Sequence, residues 1–151
     1  MWAGGVRVIV LDNENRILMV RQHHQERHVW TVPGGGIEPG ETSMDAAVRE
    51  VKADRGLDVA IGRLLWHVEQ LLEGKGPRFV NIFLATVIGG SPALGSDPER
   101  SDDEQVIEEV RFMSKAELAE TDGLYPSYLK DELWDILEKE VGTHNPFKVR
   151  K

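Results

Sequence analysis

Hydrophobic and polar positions change period several times along the chain, and each change marks an element. Val6 to Leu11 is an apolar run, "DNEN" follows as a group of turn formers, and Ile17 to Val20 is apolar again. Two short β-rich runs around an Asp/Asn turn predict a hairpin. The polar stretch "QHHQERH" reads as a loop, and "VWTVPGGG" as a short strand stopped by Pro33 and three glycines. Thr42 to Arg55 predicts a helix: Thr42 or Ser43 caps it, Asp45 sits in its first turn, and Gly56 stops it. Met44, Ala47, Val48 and Val51 follow the i, i+3, i+4, i+7 spacing of a buried stripe.

Strand-like alternation returns between Val59 and Leu72 and, more strongly, from Phe79 to Val87, with "EGKGPR" as the turn between them. The aperiodic "GGSPALGSDPERSDDEQ" reads as a long loop, a kind that is usually functional or disordered. Val106 to Met113 predicts a last strand, followed by a short helix from Lys115 to about Glu120. Pro126 to Val141 predicts a final amphipathic helix, because Leu129, Leu133, Leu137 and Val141 recur at helical spacing and Pro126 suits a first turn. The tail "GTHNPFKVRK" has little pattern. With no internal repeat, the expectation is one domain over 1–151, weakly structured from about 142, of the α/β or α+β class around one mixed sheet.

Composition narrows the partners. A net charge of −8 argues against a nucleic-acid polymer or an anionic membrane as the main partner, although a bound cation would still allow a phosphate ligand. The absence of cysteine excludes disulfides, thiolate metal sites and cysteine nucleophiles. The N-terminal apolar run lacks a basic region before it and is too short for a signal peptide or a membrane span, so a cytoplasmic location is expected.

The candidate chemistry lies in "GGIEPGETSMDAAVREVKADRGL", residues 35–57. Glu50 and Asp54 are four apart and so share one helix face, while Arg49 and Glu41 offer an ion pair beside them. Carboxylates near a glycine turn suit a hard cation such as Mg²⁺, which prefers oxygen donors and often bridges to phosphates. By itself a Glu–Asp pair on a helix is commonly a solvated face.

The wider spacing carries more. Gly35, five residues, Glu41, seven residues, Arg49-Glu50-Val51, and then Gly56-Leu57 resembles the signature of the Nudix hydrolase family. "GGVRVIVLDNENRILMVRQ", "VWTVPGGGIEPGE" and "EEVRFMSKAEL" resemble that family's opening hairpin, its approach to the signature, and its late strand and short helix, so the likeness covers roughly residues 3–140. The resemblance implies an α/β/α sandwich around a mixed sheet. It also implies Mg²⁺- or Mn²⁺-dependent hydrolysis of a diphosphate linkage in a nucleoside diphosphate derivative, with a homodimer as a common assembly. Carried over by position, it makes Glu50 a metal ligand and base, Asp54 a metal ligand, Arg49 and Glu41 the groups that orient them, and a carbonyl near Gly35 a further donor.

Two positions depart from the signature: Ala53 and Asp54 stand where the family has Glu-Glu. Asp keeps the charge with shorter reach, and Ala keeps neither, so fewer or weaker metal ions are expected. Glu38, Asp102, Asp103 and Glu104 are candidate substitutes, with Glu104 the one carried forward as a ligand. Arg21, Trp30 and Arg78 are the candidate substrate contacts, and Arg27, His23, His24, His28 and Trp66 are weaker ones that are more often ordinary surface or core residues. The competing readings are a weakly active or inactive Nudix-fold module that binds a nucleotide-type ligand, and a dimeric scaffold that uses the fold alone.

Overall fold

A computed structural model describes residues 3–24, 26–71, 74, 76–91, 106–138 and 144–150, with the side chains at 3, 24, 54, 55 and 106 outside that description. The chain runs β1 (Ala3–Leu11), β2 (Ile17–His24), β3 (Arg27–Thr31), β4 (Gly34–Gly36), α1 (Ser43–Arg55), β5 (Leu57–Gln70), β6 (Arg78–Gly90), β7 (Val106–Met113), α2 (Lys115–Ala119), β8 (Leu124–Tyr125), a 3₁₀ turn (Ser127–Leu129), α3 (Glu132–Glu138) and β9 (Phe147–Arg150).

The strands form one mixed sheet in the order β8-β3-β2-β1-β6-β5-β9, with β4 also paired to β1 and β7 to β2. Its central pair, β1 with β6, is parallel and continuous from Ala3 opposite Arg78 to Leu11 opposite Thr86. β1 is nearly all apolar because both of its faces are covered. Val6, Val8 and Val10 pack with Ala46, Ala47 and Val51 of α1. Ile9, on the other face, packs with Leu118, Leu129, Leu133 and Trp134. Helices therefore cover both faces, as the α/β/α expectation requires.

α1 is delimited by its own sequence. Thr42 accepts from the Asp45 N–H while Asp45 accepts from the Thr42 N–H, a reciprocal capping box. At the other end Gly56 sits at φ 72°, a left-handed conformation that favours glycine, and its N–H closes onto the Lys52 carbonyl. The N-terminal end of α1 is also tied to the sheet, since His67 meets Asn81 at 2.6 Å and Asn81 donates to Ser43 at 2.9 Å.

The hairpin, the strand Val106–Met113 and the helix over 42–55 stand where the pattern placed them, and five features differ. The "QHHQERH" stretch is mostly strand, because β2 and β3 pair in antiparallel register through Gln22–Val29, His23–His28 and His24–Arg27. The glycines after Pro33 do not simply end a strand but form β4 against Gly5, Val6 and Arg7. The helical stripe is displaced: Ala46, Ala47 and Val51 are fully buried, whereas Met44 and Val48 are 50% and 40% exposed. Small residues face inward because α1 lies close to the sheet.

The final helix is shorter than Pro126–Val141. Pro126 has ψ 153°, which is extended, and the Leu129 carbonyl accepts the Trp134 indole N–H at 2.7 Å, so a 3₁₀ turn precedes α3. Residues 139–143 lie outside the described residues. Beyond them the weakly patterned tail adds β9 parallel to β5, joined by His67 N–H to the Pro146 carbonyl and Leu71 N–H to the Arg150 carbonyl, both at 2.7 Å. Among the described residues no helix is long and apolar enough to cross a membrane.

Leu133 is fully buried and Met44 half exposed. Leu133→Ala is therefore expected to cost about 2–5 kcal/mol, and Met44→Ala less than about 0.5 kcal/mol. Urea unfolding of both variants checks the inward face of each helix; a large loss from Met44→Ala would return that residue to the core.

Candidate functional site

β4, the loop that follows it and α1 bring Gly35, Glu41, Arg49 and Glu50 together. The Arg49 guanidinium organises the group. It donates Nε–H to Glu41 Oε2 at 2.9 Å and Nη2–H to Glu41 Oε1 at 2.7 Å, a bidentate pair. It also donates Nη1–H to Glu50 Oε1 at 2.9 Å and Nη2–H to the Gly36 carbonyl at 3.0 Å. Glu38 adds a looser carboxylate at 3.8 Å and is half exposed. The loop is closed on itself, because Glu41 Oε1 accepts the Glu38 N–H and the Glu41 N–H reaches the Glu38 carbonyl.

Glu50 is 9% exposed, a buried carboxylate on the inward face of α1 beside Ala46, Ala47 and Val51. A carboxylate removed from water needs compensating charge and hydrogen bonds, and Arg49 supplies both. Its carboxylate lies against the backbone of β4: a Cβ built on Gly35 would overlap Glu50 Oε1. Only glycine permits that approach.

Charge fixes the protonation of the supporting pair. The Arg49 hydrogen bonds, and then the Glu38 N–H, hold the Glu41 carboxyl at about 2 against an ordinary 4.5. Arg49 is pushed above its ordinary value by the same partner and by Glu50.

The remaining expected positions are scattered. The Asp54 side chain, Asp102, Asp103 and Glu104 lie outside the described residues, and so do residues 92–100 of the long loop; Gly89 and Gly90, by contrast, end β6. Ala53 is exposed. Among the described residues no three His, Asp or Glu side chains form a group able to hold a metal ion. Arg21 and Trp30 face each other across β2 and β3, but Arg21 donates to Glu108 at 2.7 Å, and Trp30 carries Arg111 at 5.0 Å and Arg21 at 6.0 Å from its ring. Arg78 opens β6 as an exposed residue opposite Gln70. Trp66 is fully buried against Tyr128 and is core, not a stacking surface.

A cavity of about 410 Å³ opens on the other face of the sheet and was not anticipated. It is lined by Arg7, Gln22, Arg27, Thr31, Tyr125 and Arg150 among others. One sequence signal pointed to it: Arg7 is the single charge inside "GGVRVIVL". Arg150 and Tyr125 come from β9 and β8, the two ends of the sheet order, yet Arg150 Nη1 lies 3.4 Å from Tyr125 Oη, so the sheet curls until its ends meet.

Comparison with known proteins places this geometry among relatives. The NUDIX domain family matches residues 1–131. A putative 8-oxo-dGTP diphosphatase of Bacillus subtilis is 30% identical over 93 residues, covering 60% of this chain and 57% of that protein. An ADP-ribose pyrophosphatase of Methanocaldococcus jannaschii is 30% identical over 95 residues, covering 62% and 56%. The chain thus spans little more than half the length of these relatives. The crystal structure of a MutT protein from Methanosarcina mazei superposes with a TM-score of 0.67 at 19% identity, covering 92% of this chain and 96% of that one, a likeness of fold.

The folded Glu41 value lies below the ordinary one, so its ion pair contributes fully to stability above pH 4.5 and is lost as pH falls toward 2. A carboxyl-detected NMR titration is expected to place the Glu41 midpoint near 2 in the native chain and to move it up toward 4.5 in Arg49→Ala, short of it by the effect of the remaining Glu38 N–H. An unchanged midpoint in the variant would remove Arg49 as the cause.

Proposed function

The chain belongs to the NUDIX domain family, and from that premise we propose that it is a metal-dependent pyrophosphohydrolase that breaks a diphosphate linkage in a nucleoside diphosphate derivative. The observation that carries this reading is the buried Glu50 carboxylate, held by Arg49 and seated against Gly35. The names of the Bacillus and Methanocaldococcus relatives support a nucleotide-type substrate with a di- or triphosphate chain.

The donor chemistry fits a hard divalent ion: the groups are carboxylate and carbonyl oxygens, without thiolates. Glu50, Asp54, a carbonyl near Gly35, and Glu104 from the long loop are the proposed ligands of Mg²⁺ or Mn²⁺. With so few side chains, most of the coordination would fall to water and substrate phosphate, the usual habit of Mg²⁺. Such an ion would neutralise phosphate charge and favour water as the attacking group.

The chain's own residues do the rest. Glu50 would accept the proton of the attacking water, and Arg49, bonded to Oε1, orients that carboxylate. Glu41 holds Arg49 by two hydrogen bonds and so acts as a positioning residue. Glycine at 35 leaves room for the carboxylate at the backbone.

Ala53 supports the second reading, a module that binds a nucleotide-type ligand with little turnover, because it has no carboxylate where the family signature has one. One experiment separates the two. The purified chain is incubated with Mg²⁺ or Mn²⁺ and nucleoside triphosphates, dinucleoside polyphosphates, ADP-ribose or nucleotide sugars, beside Glu50→Gln. Glu50→Gln is expected to lower kcat by roughly 10²–10⁴-fold on the preferred substrate. If nothing is cleaved faster than by the variant, the binding module is the better description. In the same series Ala53→Glu is expected to tighten Mn²⁺ binding by calorimetry; unchanged affinity would take position 53 out of the metal site.

A further inference from the structure

The cavity between β8, β3, β2, β1 and β9 contains three arginines, Arg7, Arg27 and Arg150, and no acid among its nine described lining residues. In a chain of net charge −8 this is a local reversal of sign. Arg7 donates Nη1–H to Thr31 Oγ1 and to the Val32 carbonyl, both at 2.9 Å, which fixes its guanidinium. Arg7 and Arg150 both stand over the Tyr125 ring, at 5.3 and 4.9 Å from its centre. A nucleobase seeking to stack on Tyr125 would have to displace an arginine, whereas an anion would meet cations already in place. Burial and the nearby Arg150 press the Arg7 guanidinium below its ordinary value, while Tyr125 and Glu50 oppose that shift, so added negative charge would relieve it.

Arg7 links the cavity to the site already described, because it pairs with Gly34 of β4, the neighbour of the Gly35 that Glu50 approaches. A Cβ on Gly34 would strike the Val6 carbonyl and Arg7, and a Cβ on Gly35 would strike Glu50. Two adjacent glycines therefore lie between Arg7 and Glu50. A substrate that used both would carry its diphosphate at Glu50 and a distal group in the cavity.

We propose that the arginine cavity is a specificity subsite for a phosphate monoester carried on the substrate away from the linkage that is cleaved. This inference rests on the activity proposed above and names the substrate class: a nucleoside diphosphate derivative bearing an additional terminal phosphate. Three guanidinium forks suit a dianionic, multi-oxygen group better than an uncharged sugar or base. Arg27 and Arg150 are exposed, so they select the group from the rim while Arg7 forms the floor.

The test compares ADP-ribose with ADP-ribose 2′-phosphate in the native chain and in the double variant Arg27→Gln/Arg150→Gln. The native chain is expected to prefer the phosphorylated member by at least about tenfold in kcat/KM, equivalent to about 1.4 kcal/mol, and the double variant to bring that ratio toward one. Calorimetric binding of the same pair to Glu50→Gln protein, with and without the two arginine changes, reads the subsite independently of turnover. A preference in binding that needs Arg27 and Arg150 but comes without turnover would sink the enzyme reading and keep the subsite. Equal affinities, no binding of the phosphorylated member, or a preference that survives the double variant would overturn the subsite. Arg150→Glu provides a second variant, expected to weaken the phosphorylated member more than its partner. An equal loss for both would instead make the cavity a holder of the diphosphate core and overturn the proposal.

Discussion

The guanidinium of Arg49 ties a loop, a strand and a helix directly to one another. Its planar fork reaches both oxygens of Glu41, one oxygen of Glu50 and the Gly36 carbonyl. Loop, strand and helix are thus referred to one rigid cation. A lysine would offer a point charge and could not satisfy that many directions at once. The arrangement also explains how a carboxylate is tolerated on the inward face of α1. Glu50 loses water, and the arginine beside it returns charge and hydrogen bonding. Ala46 and Ala47 then matter through their size, since larger residues would hold α1 away from the sheet and Glu50 away from Gly35.

Features fixed by neighbours in sequence were legible without a structure. The capping box of Thr42 and Asp45 and the left-handed Gly56 define α1 within a few residues, and the spacing from Gly35 to Leu57 marks the site because each partner is local. The inward face of α1 was not legible. Apolar periodicity pointed to Met44 and Val48, but the close approach of the helix favoured alanines and the paired Glu50. The polar strands at His23 and His28 escaped for a related reason: their pairing in the ladder, not side-chain burial, makes them strand.

The arginine cavity escaped for a different physical reason. Its lining comes from β1, β2, β3, β8 and β9, far apart in sequence, and curling of the sheet alone brings Arg150 to Tyr125. Net charge gave no hint either, because a sum over the chain says nothing about where three cations gather. The lone arginine in an otherwise apolar strand was the one local trace. A charge between valines at the centre of a sheet needs fixed acceptors, and Thr31 with the Val32 carbonyl are those acceptors.

The two sites share a structural cause in β4. A strand of three glycines gains little from propensity or side-chain packing, and its value lies in what it lets others do. On one side Gly35 admits the Glu50 carboxylate to the backbone, and on the other Gly34 admits Arg7. A side chain at 35 would push the Glu50 carboxylate away, and one at 34 would strike the β1 backbone at Val6 and the stem of Arg7. The glycines therefore set the distance between the carboxylate held by Arg49 and the cations of the cavity. They also let the two feel each other's charge, which is visible in the opposition of Glu50 to the burial of Arg7. Reaction chemistry and substrate selection, on the reading proposed here, are coupled through the thinnest element of the fold.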